Sequence, residues 1–201
     1  MFAPYVSIYQ LNIFMKHFMI DTLIYDTEKL KASVQDIDNW QYYGIGRARL
    51  GITRWSDSDT KYVASKFKNA RTIISAIQPN LIHPYERVLP HTDHNRRITC
   101  NIPVSGDFKN SYVKFYEKDV KGTINNYIPD VASDGNTSMN YHNATPIGKI
   151  SYTTPICFDT QDVHGVDNLT SQPRYIITVS FNLDLSYEDI LDMYNAGELL
   201  Q

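Results

Sequence analysis

The chain has little of what marks a specialised environment. Only two cysteines, Cys100 and Cys157, occur in its 201 residues, each inside an apolar run and without a neighbour at metal-ligand spacing. This excludes a disulfide framework and a structural zinc site, and leaves two buried thiols in a reducing compartment. Basic residues are not in excess, since 19 Lys and Arg face 22 Asp and Glu for a formal net charge of -3. No local Lys/Arg cluster stands out, so binding driven by nucleic-acid phosphates has no footprint. Long hydrophobic runs are missing too. The apolar start, residues 1–20, is broken by Gln10, Asn12, Lys16 and His17 and lacks the basic flank of a secretion signal. No stretch reaches the roughly 18 uninterrupted apolar residues of a membrane span. A cytoplasmic protein without a membrane partner is expected, and the sequons beginning at Asn136, Asn143 and Asn168 are then chance products of composition. Internal repeats and low-complexity tracts are also absent.

A chain of this length fits one domain, residues 1–201, able to bury a core without staples. Within residues 26–40, Leu30, Val34 and Ile37 recur at intervals of four and three, behind Asp26 or Thr27 as a cap. That spacing predicts an amphipathic helix, and residues 61–68 predict a second, shorter one, giving a helical N-terminal support over about 20–70. From Arg71 the texture changes to β-branched and aromatic runs bounded by turn residues: 71–78, 97–104, 112–116, 150–158 and 175–183. No helix alternates with these runs before a C-terminal one at about 187–200, which excludes a parallel α/β fold. The β core, about 71–183, reads as an antiparallel sandwich or barrel with flanking helices. Residues 118–149 are rich in Asn, Asp, Ser, Gly and Lys with little periodicity. They predict a long inserted loop, either disordered or a lid.

Chemistry concentrates at three positions. His91 and Asp93 lie two residues apart, and on a strand that spacing points both side chains to one face, where they can reach one ion. His164 follows much later, before a turn expected at Gly165 to Asn168, and supplies a third ligand. Two histidines and one carboxylate leave three positions of a metal open, the arrangement that suits an Fe(II) oxygenase rather than a closed structural site. A keto acid chelating such a metal carries a distal carboxylate, which is costly to bury unpaired. Arg174 answers that need, ten positions beyond His164 and at the head of a β-prone run through Phe181. Its planar fork pairs bidentately with a carboxylate, and alternation puts Arg174, Ile176, Thr178 and Ser180 on one face.

These residues resemble the 2-oxoglutarate- and Fe(II)-dependent oxygenases, whose motif is His-x-Asp, a distal His and an Arg about ten residues beyond it. The match covers about 89–181. Leu89-Pro-His-Thr-Asp-His-Asn-Arg-Arg-Ile-Thr-Cys-Asn-Ile-Pro-Val looks like the first ligand strand and its neighbour. His164-Gly-Val-Asp-Asn and Pro173-Arg-Tyr-Ile-Ile-Thr-Val-Ser-Phe look like the closing pair, especially that of aspartyl/asparaginyl β-hydroxylases and prolyl hydroxylases. Aspartyl/asparaginyl β-hydroxylases commonly lack the triad carboxylate, which Asp93 supplies here. The resemblance implies a mainly β fold with flanking helices, a double-stranded β-helix (jelly-roll, cupin-like). It also implies Fe(II), 2-oxoglutarate and O2, and a hydroxylase of an amino-acid side chain in a protein or peptide, or of a small molecule.

In similar enzymes polar residues on the strand after the first ligands help hold the cosubstrate, which nominates Thr99 and Asn101, on one face with Arg97. Alternation equally allows these to face solvent with Ile98, Cys100 and Ile102 inward. The segment ahead of the barrel often lines the substrate mouth, so Trp40, Tyr42, Tyr43 and Arg97 are rim candidates. The aromatics can instead seal the helix onto the sheet. Asp162 can orient His164 from behind. His94 should point away from the triad. Two other functions remain open: a non-catalytic jelly-roll binding or structural protein, and a cupin metalloenzyme without 2-oxoglutarate, which would leave Arg174 without a role.

Overall fold

Alternation of period two along the strands, with both faces apolar at the centre of the sheet, dictates three layers: a minor sheet, a major sheet and a cover of helices. The structure, a computed structural model, describes residues 16–45, 48–52, 55–93, 96–117, 122–126, 137–141 and 144–201. For 41–45, 48–52, 122–126 and 137–140 it describes the backbone alone. The strands are β1 (His17–Met19), β2 (Gln41–Ile45), β3 (Ala48–Ile52), β4 (Ile74–Ile82), β5 (Arg87–Asp93), β6 (Ile98–Ser105) and β7 (Ser111–Tyr116). They continue with β8 (Gly122–Asn126), β9 (Thr137–Tyr141), β10 (Pro146–Ile150), β11 (Ile156–Asp159), β12 (His164–Asn168) and β13 (Arg174–Phe181). The helices are α1 (Thr27–Gln35), α2 (Asp57–Ala64), the single turn α3 (Ala70–Ile73) and α4 (Tyr187–Asn195).

Seven strands form the major sheet in the order β1-β11-β6-β13-β4-β3-β2, and six form the minor sheet in the order β10-β7-β12-β5-β9-β8. Every pairing is antiparallel. The fold is the expected jelly-roll. One face of β6 and β13, with Ile98, Cys100, Ile102, Ile177, Val179 and Phe181, packs under the helices against Leu30, Val34, Val63 and Ile190. The other face looks into the space between the sheets, with Ile82, Val88, Val113, Phe115, Phe158, Val166 and Ile176. Each fully buried aliphatic side chain contributes roughly 1.5–3 kcal/mol, so these two layers dominate the fold. Cys100 and Cys157 are free, buried and directly opposite each other across β6 and β11. Burial, and then Cys100, push the Cys157 thiol up.

Several boundaries differ from the sequence reading, each for a local reason. The helix expected over 26–40 starts as foreseen, with the Asp26 carboxylate accepting from the Lys29 amide, but ends at Gln35, so Ile37 packs from beyond it. The second helix starts four residues early because Ser56 caps it. The expected 20–70 support also contributes β1, β2 and β3 to the major sheet. The run 71–78 divides into the α3 turn and β4, which continues through Pro79. Among the described residues β3 pairs only with Asn80 to Ile82, so β4 at Pro79 has a partner strand on one side alone, an edge position where proline is tolerated. The run 150–158 breaks at Pro155 into β10 and β11, which belong to different sheets. The C-terminal helix stops at Asn195, and Gly197 follows with φ +71. The expected loop at 118–149 contains β8, β9 and the start of β10, and β9 extends the minor sheet beside β5. Sequences such as Gly-Thr-Ile-Asn-Asn carry too few apolar residues to show a period of two.

Candidate metal centre

Antiparallel pairing brings the three expected ligands together: His164 of β12 is the register partner of His91 of β5, and Asp93 ends β5 one pleat further. All three are buried, and their donor atoms lie within 4.8 Å of one another. The imidazole centroids are 4.3 Å apart. Asp93 Oδ1 is 3.7 Å from His91 Nε2, and Asp93 Oδ2 is 4.0 Å from His164 Nε2.

His164 does not precede a turn; it opens β12, and Gly165 is a strand residue. The pairing of β12 with β5 is irregular between His164 and Val166, because Leu89 and Pro90 add a residue to β5 there. That bulge carries the Val88 carbonyl to within 2.7 Å of where a Cβ at Gly165 would sit. Glycine is required beside the ligand by this close approach.

Backbone carbonyls fix both rings. His91 Nδ1 donates to Leu89 O at 2.7 Å and His164 Nδ1 to Asp162 O at 2.9 Å. A carbonyl can only accept, so Nδ1 carries the proton in each ring and Nε2 keeps a free lone pair for a metal. The contact from Asp162 to the His164 ring runs through its main chain rather than its carboxylate. Burial, and then the neighbouring His91, push the His164 imidazole down to about 3, so it is neutral and ready to ligate at ordinary pH. Burial is the largest single influence on the Asp93 carboxyl and raises it, but the charge and hydrogen bond of Arg96 together with the two histidines outweigh it and hold the group well below the usual carboxylate range.

The same interior holds Arg174, 1 % exposed. Its Nη1 donates to Ser111 Oγ at 2.9 Å and its Nη2 to Tyr152 Oη at 2.6 Å, with the rings of Phe108 and Tyr152 on its faces. Among the described residues its Nε has no acceptor and no carboxylate pairs with it. A buried cation satisfied only by neutral hydroxyls leaves an anion owed. The walls of this interior include Val113, Val166, Val88 and Ile176.

Thr99 and Asn101 face this interior, while Ile98 and Cys100 face the helices, so both faces of β6 are buried. Asn101 Oδ1 accepts from Thr178 Oγ1 at 2.8 Å, which accepts from Asn80 Nδ2 at 2.7 Å, and Asn101 also adjoins the Tyr152 hydroxyl beside Arg174. Thr99 bonds instead to the Val179 carbonyl of its own sheet. Arg97 departs from the expected shared face: it precedes β6, is exposed, and lies towards α4, where Asp189 is lowered by Ser186 and, more weakly, by Arg97. Trp40 packs 6.0 Å from Tyr175 on the helix side of the major sheet, sealing that layer rather than lining the interior. The side chains of Tyr42 and Tyr43, and all of His94, lie outside the described residues. Sequence reasoning missed Ser111, Tyr152 and Arg96. Only Arg96, three residues beyond Asp93, left a readable trace.

Asn168 is fully buried, and its amide donates to the carbonyls of Ile82, His83 and Gln172, which agrees with an unused sequon. Among the described residues no helix is long and apolar enough to cross a membrane.

Fold and site together define a jelly-roll protein with a two-histidine, one-carboxylate cluster facing the interior between its sheets. No protein-family profile and no curated protein matches the chain. Solved structures of similar fold include SnoK, a non-heme alpha-ketoglutarate-dependent carbocyclase from nogalamycin biosynthesis, with TM-score 0.52 and 11% identity over 89% of this chain and 83% of that one. The epimerase SnoN, in complex with Fe3+, alpha ketoglutarate and nogalamycin RO, has TM-score 0.52 and 10% identity over 86% of this chain and 81% of that one. EvdMO1 has TM-score 0.51 and 15% identity over 88% of this chain and 49% of that one. At these identities the likeness is one of fold.

Proposed function

We propose that this protein is a non-haem Fe(II) oxygenase that consumes 2-oxoglutarate and O2 to oxidise a C–H bond of an organic substrate. The donor set supports the metal: two imidazoles with free Nε2 atoms and one carboxylate suit Fe(II) and leave half of its coordination sphere unfilled. The observation that carries the cosubstrate is Arg174, a buried guanidinium with a free Nε–H and no anion among the described residues. A dicarboxylate that reaches both the metal ligands and Arg174 would supply that anion. A cupin enzyme without 2-oxoglutarate, or a structural jelly-roll, would keep a buried unpaired cation for no return.

In this reading His91, Asp93 and His164 hold the metal, which when bound supplies O2 activation coupled to decarboxylation of the keto acid. Arg174 neutralises the distal carboxylate, and Ser111 and Tyr152 hold the guanidinium in place. Val113, Val166 and Ile176 exclude water and strengthen that charge pairing. Hydroxylation of an amino-acid side chain or a small molecule is the default outcome, from the sequence resemblance. SnoK and SnoN are named as a carbocyclase and an epimerase, which widens the outcome to other reactions at a C–H bond.

Succinate formed from 2-oxoglutarate under air with Fe(II) and ascorbate, followed by NMR on the parent and on Asp93→Ala, tests this function. Succinate from the parent alone supports it. Equal amounts from both proteins contradict it.

A further inference from the structure

Arg96 Nε donates to Asp93 Oδ2 at 2.6 Å, and the Arg96 side chain is only 19% exposed. Its position is set from several directions. Thr160 Oγ1 donates to the Arg96 carbonyl at 2.7 Å, Gln161 Nε2 donates to the carbonyls of both Asp93 and Arg96, and the Asp93 amide donates to Thr160 O at 3.1 Å. The turn that carries the chain on to His164 therefore also clamps the segment from Asp93 to Arg96.

The carboxylate itself does not choose between its oxygens. Oδ1 is the one near His91 and Oδ2 the one near His164, so a metal between the imidazoles could draw on both. We propose that Arg96 is a positioning residue that makes this choice: it occupies Oδ2 and leaves Oδ1 as the single oxygen that Asp93 offers the metal. This rests on the metal-centre reading above. It matters because three protein donors leave three positions of a six-coordinate ion, two for a chelating keto acid and one for O2. A second carboxylate oxygen would remove the last. The guanidinium also repels a dication, so it gives up metal affinity in exchange for an open position.

The test uses the full chain loaded with Mn(II), without keto acid, and counts exchangeable waters from the line broadening of its EPR spectrum in 17O-enriched water. The parent should show about three and Arg96→Met about two, with Mn(II) bound at least as tightly by the variant. Arg96→Lys, which keeps a cationic donor, should stay near the parent value and remains informative if Arg96→Met does not fold. An unchanged water count in Arg96→Met, or a loss of one water in folded Arg96→Lys, overturns the proposal and leaves Arg96 as a pairing that only stiffens the turn. A parent that binds no Mn(II) overturns the metal-centre reading itself, which separates the two failures.

Discussion

Replacing Arg174 by Met separates a structural role from a functional one. In the free protein Arg174 is 1 % exposed, and among the described residues its guanidinium has only the hydroxyls of Ser111 and Tyr152 as hydrogen-bond partners. Desolvating such a charge costs several kcal/mol, and two bonds from a charged donor return roughly 1.5–3 kcal/mol each. The terms nearly cancel, so a methionine of similar volume should leave the unliganded protein within about 2 kcal/mol of the parent. Cosubstrate affinity behaves differently, because a dicarboxylate would lose its buried cationic partner, a loss of about 2–4 kcal/mol or roughly 30- to 700-fold in Kd. Urea unfolding of the metal-free protein measures the first quantity, and calorimetric titration of 2-oxoglutarate into Mn(II)-loaded protein the second. A variant that binds 2-oxoglutarate as tightly as the parent while losing more than about 3 kcal/mol of stability would refute the assignment and make Arg174 a structural residue.

Further expectations follow from the same contacts. Because His164 is held near 3, below its unfolded value of 6.5, the unfolded chain binds a proton there that the folded chain does not. Stability of the metal-free protein should therefore fall as pH drops from about 6.5 towards 3 and be level above that window with respect to this group; urea midpoints that do not change between pH 7 and 4 would contradict it. Gly165→Ala drives a Cβ to 2.7 Å from the Val88 carbonyl. It should cost about 1–3 kcal/mol in urea unfolding and weaken Mn(II) binding by displacing His164. Tyr152→Phe and Ser111→Ala each strip one acceptor from a buried guanidinium, and each should weaken 2-oxoglutarate binding by about 1–3 kcal/mol, roughly 5- to 150-fold in Kd.

The parts legible in sequence were those where spacing maps onto geometry directly. The two-residue step from His91 to Asp93 and the alternation from Arg174 to Ser180 place side chains on one face without reference to any other strand. What stayed hidden depends on partners distant in sequence. Ser111 and Tyr152 reach Arg174 from 63 and 22 residues away, and nothing local marks either as an anion-site residue. β8 and β9 read as loop in sequence because what makes them strands is the pairing of β8 with β9 and of β9 with β5, not an apolar face. Gly165 suggested a turn, since glycine signals both tight turns and close backbone approach, and only the bulge at Leu89 and Pro90 distinguishes the two. Trp40 and Arg97 fell on the helix side because both faces of the major sheet are covered, which alternation cannot reveal.

The most direct measurement is an anaerobic titration of the protein with Fe(II) and 2-oxoglutarate, watching for the weak visible charge-transfer absorption of a chelated keto acid. It should develop in the parent, weaken strongly in Arg174→Met and be absent in Asp93→Ala. A folded, Fe(II)-replete parent that gives no band at saturating 2-oxoglutarate would contradict the assignment and return the cluster to a cupin site of some other chemistry.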